Sequence, residues 1–127
     1  MDSVIIIAPR GWEATLRARL ETLGLLATGA EGVFVVERGG ARIYVSHNDW
    51  VEDEYEPAEL ERIRGATHDP VFYALDFSDL ALCKEVLETL ADASVRVDND
   101  AGLCLPGSEF LQHLRDHPTW DWRLAAN

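Results

Sequence analysis

The run Ser3 to Ala8 is almost wholly apolar and rich in β-branched residues, and Pro9-Arg10-Gly11 closes it, which predicts a first strand buried on both faces. Trp12, Leu16, Leu20 and Leu23 then recur at helical spacing, with Glu13, Arg17, Arg19 and Glu21 elsewhere around the wheel and Gly24 as the stop. Gly32 to Glu37 and Ala41 to Ser46 are two β-rich runs joined through Arg38-Gly39-Gly40. Paired glycines reach the positive φ angles of a tight turn, so these runs form an antiparallel hairpin. Val71 to Phe77 is the next strand. Ser78 is a helix N-cap, with Asp79 in the first turn where a carboxylate complements the helix dipole. Leu80, Cys83, Val86, Leu87 and Leu90 make the apolar stripe of that helix. Ser94 to Asp98 is a last main strand and Asn99 to Gly102 a turn. Pro106-Gly107-Ser108 then opens a helix carrying Phe110, Leu111 and Leu114, which Pro118 ends.

The order strand, helix, hairpin, acidic link, strand, helix, strand, helix predicts an α/β (α+β) fold. We expect a two-layer sandwich, ferredoxin-like or related, with a mixed sheet of about five strands and helices packed on it. A chain of 127 residues supports one hydrophobic core, so residues 1–127 are read as a single globular domain.

Charge narrows the partners. The chain carries 23 acidic against 11 basic residues, a net charge of -12, and such a surface repels both phosphate backbones and anionic headgroups. Nucleic acid and membrane are therefore excluded as partners, and a basic protein is the expected one. The opening Met1-Asp2-Ser3 puts an acidic residue where a signal peptide needs a basic one, and the apolar run after it is too short to span a bilayer, so a cytoplasmic location is expected. Cys83 and Cys104 lack CxxC spacing and read as reduced, buried thiols.

The densest acidic stretch runs from Asp49 to Glu61 and has two aromatic residues set into it. Asp49, Trp50, Glu52, Asp53, Glu54, Tyr55, Glu56 and Glu59 form the candidate partner-binding surface, carboxylates for Lys or Arg and exposed aromatics as anchors. The plainer alternative is a solvated loop leading into a short helix, whose Glu59 and Glu61 complement the dipole. Asp98-Asn99-Asp100-Ala101-Gly102 begins like a calcium loop, but the sixth position is Leu103 and Pro106 intervenes, so a turn bonded by its own Asn and Asp side chains is expected. His113 and His117 have the helical spacing of a zinc pair without the Glu of HExxH, and His117 reads instead as a C-terminal dipole partner. His47 and His68, with Asp49 and Asp69 near them, are the raw material of a His/carboxylate pocket. No nucleophile motif or phosphate-cradling loop accompanies them, so no catalytic residue, metal or cofactor is assigned. Trp120 and Trp122 are expected to dock the C-terminal tail, and Trp12 to join the core.

Tyr73-Ala74-Leu75-Asp76-Phe77-Ser78-Asp79, Val97-Asp98-Asn99-Asp100-Ala101-Gly102 and Pro106-Gly107-Ser108-Glu109-Phe110-Leu111 together resemble small acidic bacterial proteins of the immunity type. The resemblance covers the C-terminal half and implies a protein that neutralises a cognate toxin by binding it. The leading expectation is thus a non-enzymatic protein-binding domain that occludes a basic partner, such as a toxin. A small enzyme or ligand-binding domain with a His/carboxylate pocket is the first alternative, and an oligomerisation or scaffold domain using a sheet edge or the tryptophans is the second.

Overall fold

The computed structural model describes residues 2–28, 33–48 and 50–122. Its elements are β1 (Asp2–Pro9), α1 (Glu13–Thr22), β2 (Leu25–Thr28), β3 (Val33–Arg38), β4 (Ala41–His47), a 3-10 turn (Val51–Glu54), α2 (Pro57–Ala66), β5 (Pro70–Phe77), α3 (Leu80–Leu90), β6 (Arg96–Asp98), β7 (Cys104–Pro106) and α4 (Gly107–Asp116). The expected α/β sandwich is present. Its sheet has seven strands in the order β2-β3-β4-β5-β1-β6-β7.

The apolar run of β1 becomes the centre of that sheet. It pairs with β5 along its whole length, from Asp2 opposite Phe77 to Pro9 opposite Pro70, and with β6 on its other side. Side chains alternate across a strand, so Val4, Ile6 and Ala8 enter one apolar cluster while Ile5 and Ile7 enter another on the opposite face. The β3–β4 hairpin closes through Gly39 and Gly40, both with positive φ (58° and 82°), and Arg38 stands opposite Ala41.

Two features of the expected sheet need correction. It is not mixed, since every strand pair is antiparallel. The chain leaves β1 through α1, enters the sheet at its edge as β2 and meanders back through β3 to β4, so that β5 lies between β4 and β1; it then leaves β5 through α3 and returns as β6 with β1 between them. β4 and β1 therefore run parallel with the antiparallel β5 between them, as do β5 and β6 with β1 between them. The central order β4-β5-β1-β6 is the split, interlocked arrangement of a ferredoxin-like sheet. The count of about five strands omitted β2 and β7, two short edge strands. Gly32, expected to open the first hairpin strand, lies outside the described residues.

The first face of the sheet is closed. α1, α3 and α4 pack on it, and Val4, Ile6, Leu16, Leu20, Ile43, Leu75, Phe77, Leu87 and Phe110 are among its fully buried side chains. Asp79, not Ser78, caps α3, its carboxylate accepting from the Leu82 amide at 2.9 Å. Arg19 on α1 donates to the Leu90 carbonyl at the end of α3 and pairs with Asp92, which ties the two helices together. The tail closes the layer. Trp122 is buried, stacked on Phe77 at 5.4 Å and edge-on to Phe110 at 6.0 Å, while the Asn99 side-chain amide donates to its carbonyl at 2.9 Å. Among the described residues no helix is long and apolar enough to cross a membrane.

Candidate functional site

The second face is covered only in part, by the segment that reads as the acidic link. Asn48 leaves β4 and its side-chain oxygen accepts from the amides of Trp50 (2.9 Å) and Val51 (3.3 Å), which turns the chain into the 3-10 turn. Pro57 stands in the first turn of α2, where its missing N–H costs nothing, and the Leu60 amide donates to the Glu56 carbonyl at 3.0 Å. Val51 and Ile63 are buried and pack with Ile5, Ile7, Phe72 and Ala74, with Tyr55 and Leu60 beside them. Few apolar residues therefore hold a strongly acidic segment onto the sheet, and an ion pair between Arg64 and Glu52 braces it.

Between this segment and the β6–β7 turn lies a cavity of about 820 Å³. Ile5, Ala74, Val51 and Ile63 give it apolar surface, and five carboxylates (Glu54, Glu59, Asp76, Asp98, Asp100) and two guanidinium groups (Arg62, Arg96) line it. Some of these groups are engaged. Asp76 accepts from the Ser3 hydroxyl at 2.5 Å, Asp98 accepts from the Tyr55 hydroxyl at 2.7 Å, and Arg96 donates to the Cys104 carbonyl at 3.3 Å. Burial and then the neighbouring Asp98 carboxylate push the Tyr55 hydroxyl far above the usual phenol range, so it stays a neutral donor. Burial, followed by the charges of Asp98 and Glu54, raises the Asp100 carboxyl above its ordinary value. Cys104 also lines the cavity, and burial pushes its thiol up despite a hydrogen bond from Arg96, so it is not poised as a thiolate nucleophile.

The expected site residues divide. Trp50 is 79% exposed and is the only exposed large hydrophobic among the described residues. Asp53, Glu54, Glu56 and Glu59 are exposed, and of the eight residues proposed from sequence only Glu54, Tyr55 and Glu59 line the cavity. Tyr55 is not the exposed anchor expected of it. Its ring lies 5.7 Å from that of Phe72 and its hydroxyl is committed to Asp98, because this half-buried apolar surface is what seats the segment. Asp49 lies outside the described residues. Asp98 and Asp100, which the sequence offers only as turn residues, complete the cavity from a place 43 residues along the chain from Tyr55. The turn itself is bonded as expected, with the Asn99 side-chain oxygen accepting from the amides of Ala101 and Leu103 and Asp98 from that of Asp100.

The histidines do not converge with this cavity. His47 is exposed at the end of β4, its ring 5.5 Å from that of Tyr73, a member of the opposite-face cluster. His68 is exposed beside Asp69, whose carboxylate pairs with Arg10. The His113 and His117 rings lie 4.6 Å apart and tilted by 51°, and the His113 and Trp120 rings meet in a T-shaped contact at 4.7 Å, so this pair helps dock the tail. No group of three or more metal-ligating side chains converges among the described residues.

No family model matches the chain, and no solved structure matches it. Among curated proteins, U22-theraphotoxin-Cg1a of Chilobrachys guangxiensis is 36% identical over 62 residues, covering 41% of this chain and 72% of that protein. Over the matched segment, less than half of this chain, the two belong to one sequence family. What that name says of a toxin is said of that protein alone.

Proposed function

We propose that this chain is a non-enzymatic protein-binding domain, of the kind that inhibits a basic partner by covering it, as immunity-type proteins do. The observation that carries this reading is Trp50, 79% exposed at the head of a segment that also exposes Asp53, Glu54, Glu56 and Glu59. A large apolar ring left in water beside Asp53, Glu54 and Glu56 is the composition of an interface anchor within a charged rim. The net charge of -12 supports a basic partner and speeds the encounter with it. Among the described residues no histidine lines the cavity, so the alternative of a His/carboxylate pocket gains no support there.

The test is capture from the native host with the tagged chain as bait, beside a variant carrying Glu52→Lys, Asp53→Lys and Glu54→Lys. A basic protein recovered by the wild-type chain and lost with the variant is the expected result. Equal recovery by both overturns the assignment of the binding surface to this segment.

A further inference from the structure

We propose that the cavity between α2 and the β6–β7 turn receives one cationic side chain, an arginine or lysine projecting from a loop of the basic partner. This rests on the protein-binding reading above and extends it to residues outside the acidic segment, Asp98 and Asp100.

Three observations identify the occupant. The first is charge: five carboxylates face two guanidinium groups, and Arg96 is already turned to a backbone carbonyl. Once the bonds of Asp76 and Asp98 are allowed for, Glu54, Glu59 and Asp100 have no ion pair or side-chain hydrogen bond among the described residues. They approach from two sides, Glu54 and Glu59 from the acidic segment and Asp100 from the turn, and burial, then the charges of Asp98 and Glu54, hold the Asp100 carboxyl above its ordinary value. The second is the apolar surface of Ile5, Ala74 and Ile63, which suits the methylene stem of a long basic side chain whose head stays among carboxylates. The third is size and surroundings. A space of about 820 Å³ is far larger than one metal ion, and no ligand set for an ion converges in it among the described residues. Asn48 and Val51, which flank the exposed Trp50 in the chain, line the same cavity, so anchor and receptor are adjacent parts of one surface.

The probe is a capped pentapeptide, acetyl-Gly-Leu-Arg-Leu-Gly-amide, compared with its citrulline counterpart, in which a neutral urea replaces the guanidinium. Amide NMR of the full chain at low salt reads the site. The expected result is saturable shifts at Ile63, Asp98, Asp100 and Leu103 with the arginine peptide and none with citrulline. Asp100→Asn should weaken the arginine response about fivefold, the scale of one partly exposed charge pair. This variant keeps the fold, because Asn tolerates the left-handed φ of 59° found at that position. Shifts confined to Trp50 and the 3-10 turn would overturn the cavity and leave the protein-binding reading standing. An equal response to citrulline, or an unweakened one in Asp100→Asn, overturns the charge argument. Identical shifts with calcium chloride alone reassign the cavity to small cations and overturn the proposal. No saturable shift anywhere overturns it and also removes charge-based support from the broader reading.

Discussion

Ala74 and Leu75 are neighbours on β5, yet they belong to different environments. Leu75 is buried in the large cluster beneath α1, α3 and α4, whereas Ala74 faces the acidic cavity. The same contrast holds across the sheet. The first face is sealed by helices and by the Trp122 tail. The second face has a small cluster under α2 and then opens into carboxylates. The larger core lies on the first face and the proposed recognition surface on the second, so mutations on the two should have opposite profiles.

The largest effect should come from the closed face. Phe77→Ala removes a fully buried ring that stacks on Trp122, and it should cost about 3–5 kcal/mol in urea unfolding. A loss below about 1 kcal/mol would show that the tail and first-face core are not packed together. Tyr55→Phe keeps the ring on Phe72 but removes the hydroxyl bond to Asp98, so a loss of about 1 kcal/mol is expected, measured the same way. A neutral result would mean that this bond does not pin the acidic segment to the sheet.

Asp100→Asn should act in the other direction. The folded-state carboxyl of Asp100 is raised, so its contribution to stability is present below the unfolded value of 3.8 and lost as pH rises through the folded value. The variant escapes that loss. It should match the wild type in acid and exceed it at neutral pH by less than about 1 kcal/mol, a small gain because the side chain is exposed and screened. Thermal melts across that pH range check the sign, and a variant less stable at neutral pH than the wild type would break the picture of repelling carboxylates. Trp50→Ala should change stability least, within about 0.5 kcal/mol, and yet lose most of the captured partner. A large destabilisation would mean that the indole serves the fold.

The first face was the more legible in the sequence, for a physical reason. Its elements are long, so β1 and β5 follow from their continuous apolar runs, the hairpin from Gly39-Gly40, and α1, α3 and α4 from apolar residues at helical spacing. β2 and β7 are four and three residues long, too short for a period to declare itself, and β7 ends in Pro106. The antiparallel order depends on which strand slips between β1 and β4 and between β5 and β6, a long-range choice that local pattern does not carry. On the second face, α2 offers only Leu60 and Ile63 among charges, so its packing is faint in the sequence, although Pro57 marks its first turn. Trp50 was legible as an exposed aromatic residue. The turned-in Tyr55 was not, because its partner Asp98 is remote in sequence and reads there as a turn residue.

The division between the faces is tested most directly by the association rate of the captured basic partner across a salt series. The comparison is between the wild type and a variant carrying Asp53→Lys, Glu54→Lys and Glu59→Lys, three exposed positions on the open face. The account predicts a wild-type rate that falls as salt rises, and a variant that associates more slowly with little salt dependence while melting close to the wild type. A variant with the wild-type rate and salt slope would contradict it, because the carboxylates of the open face would then have no part in recognition.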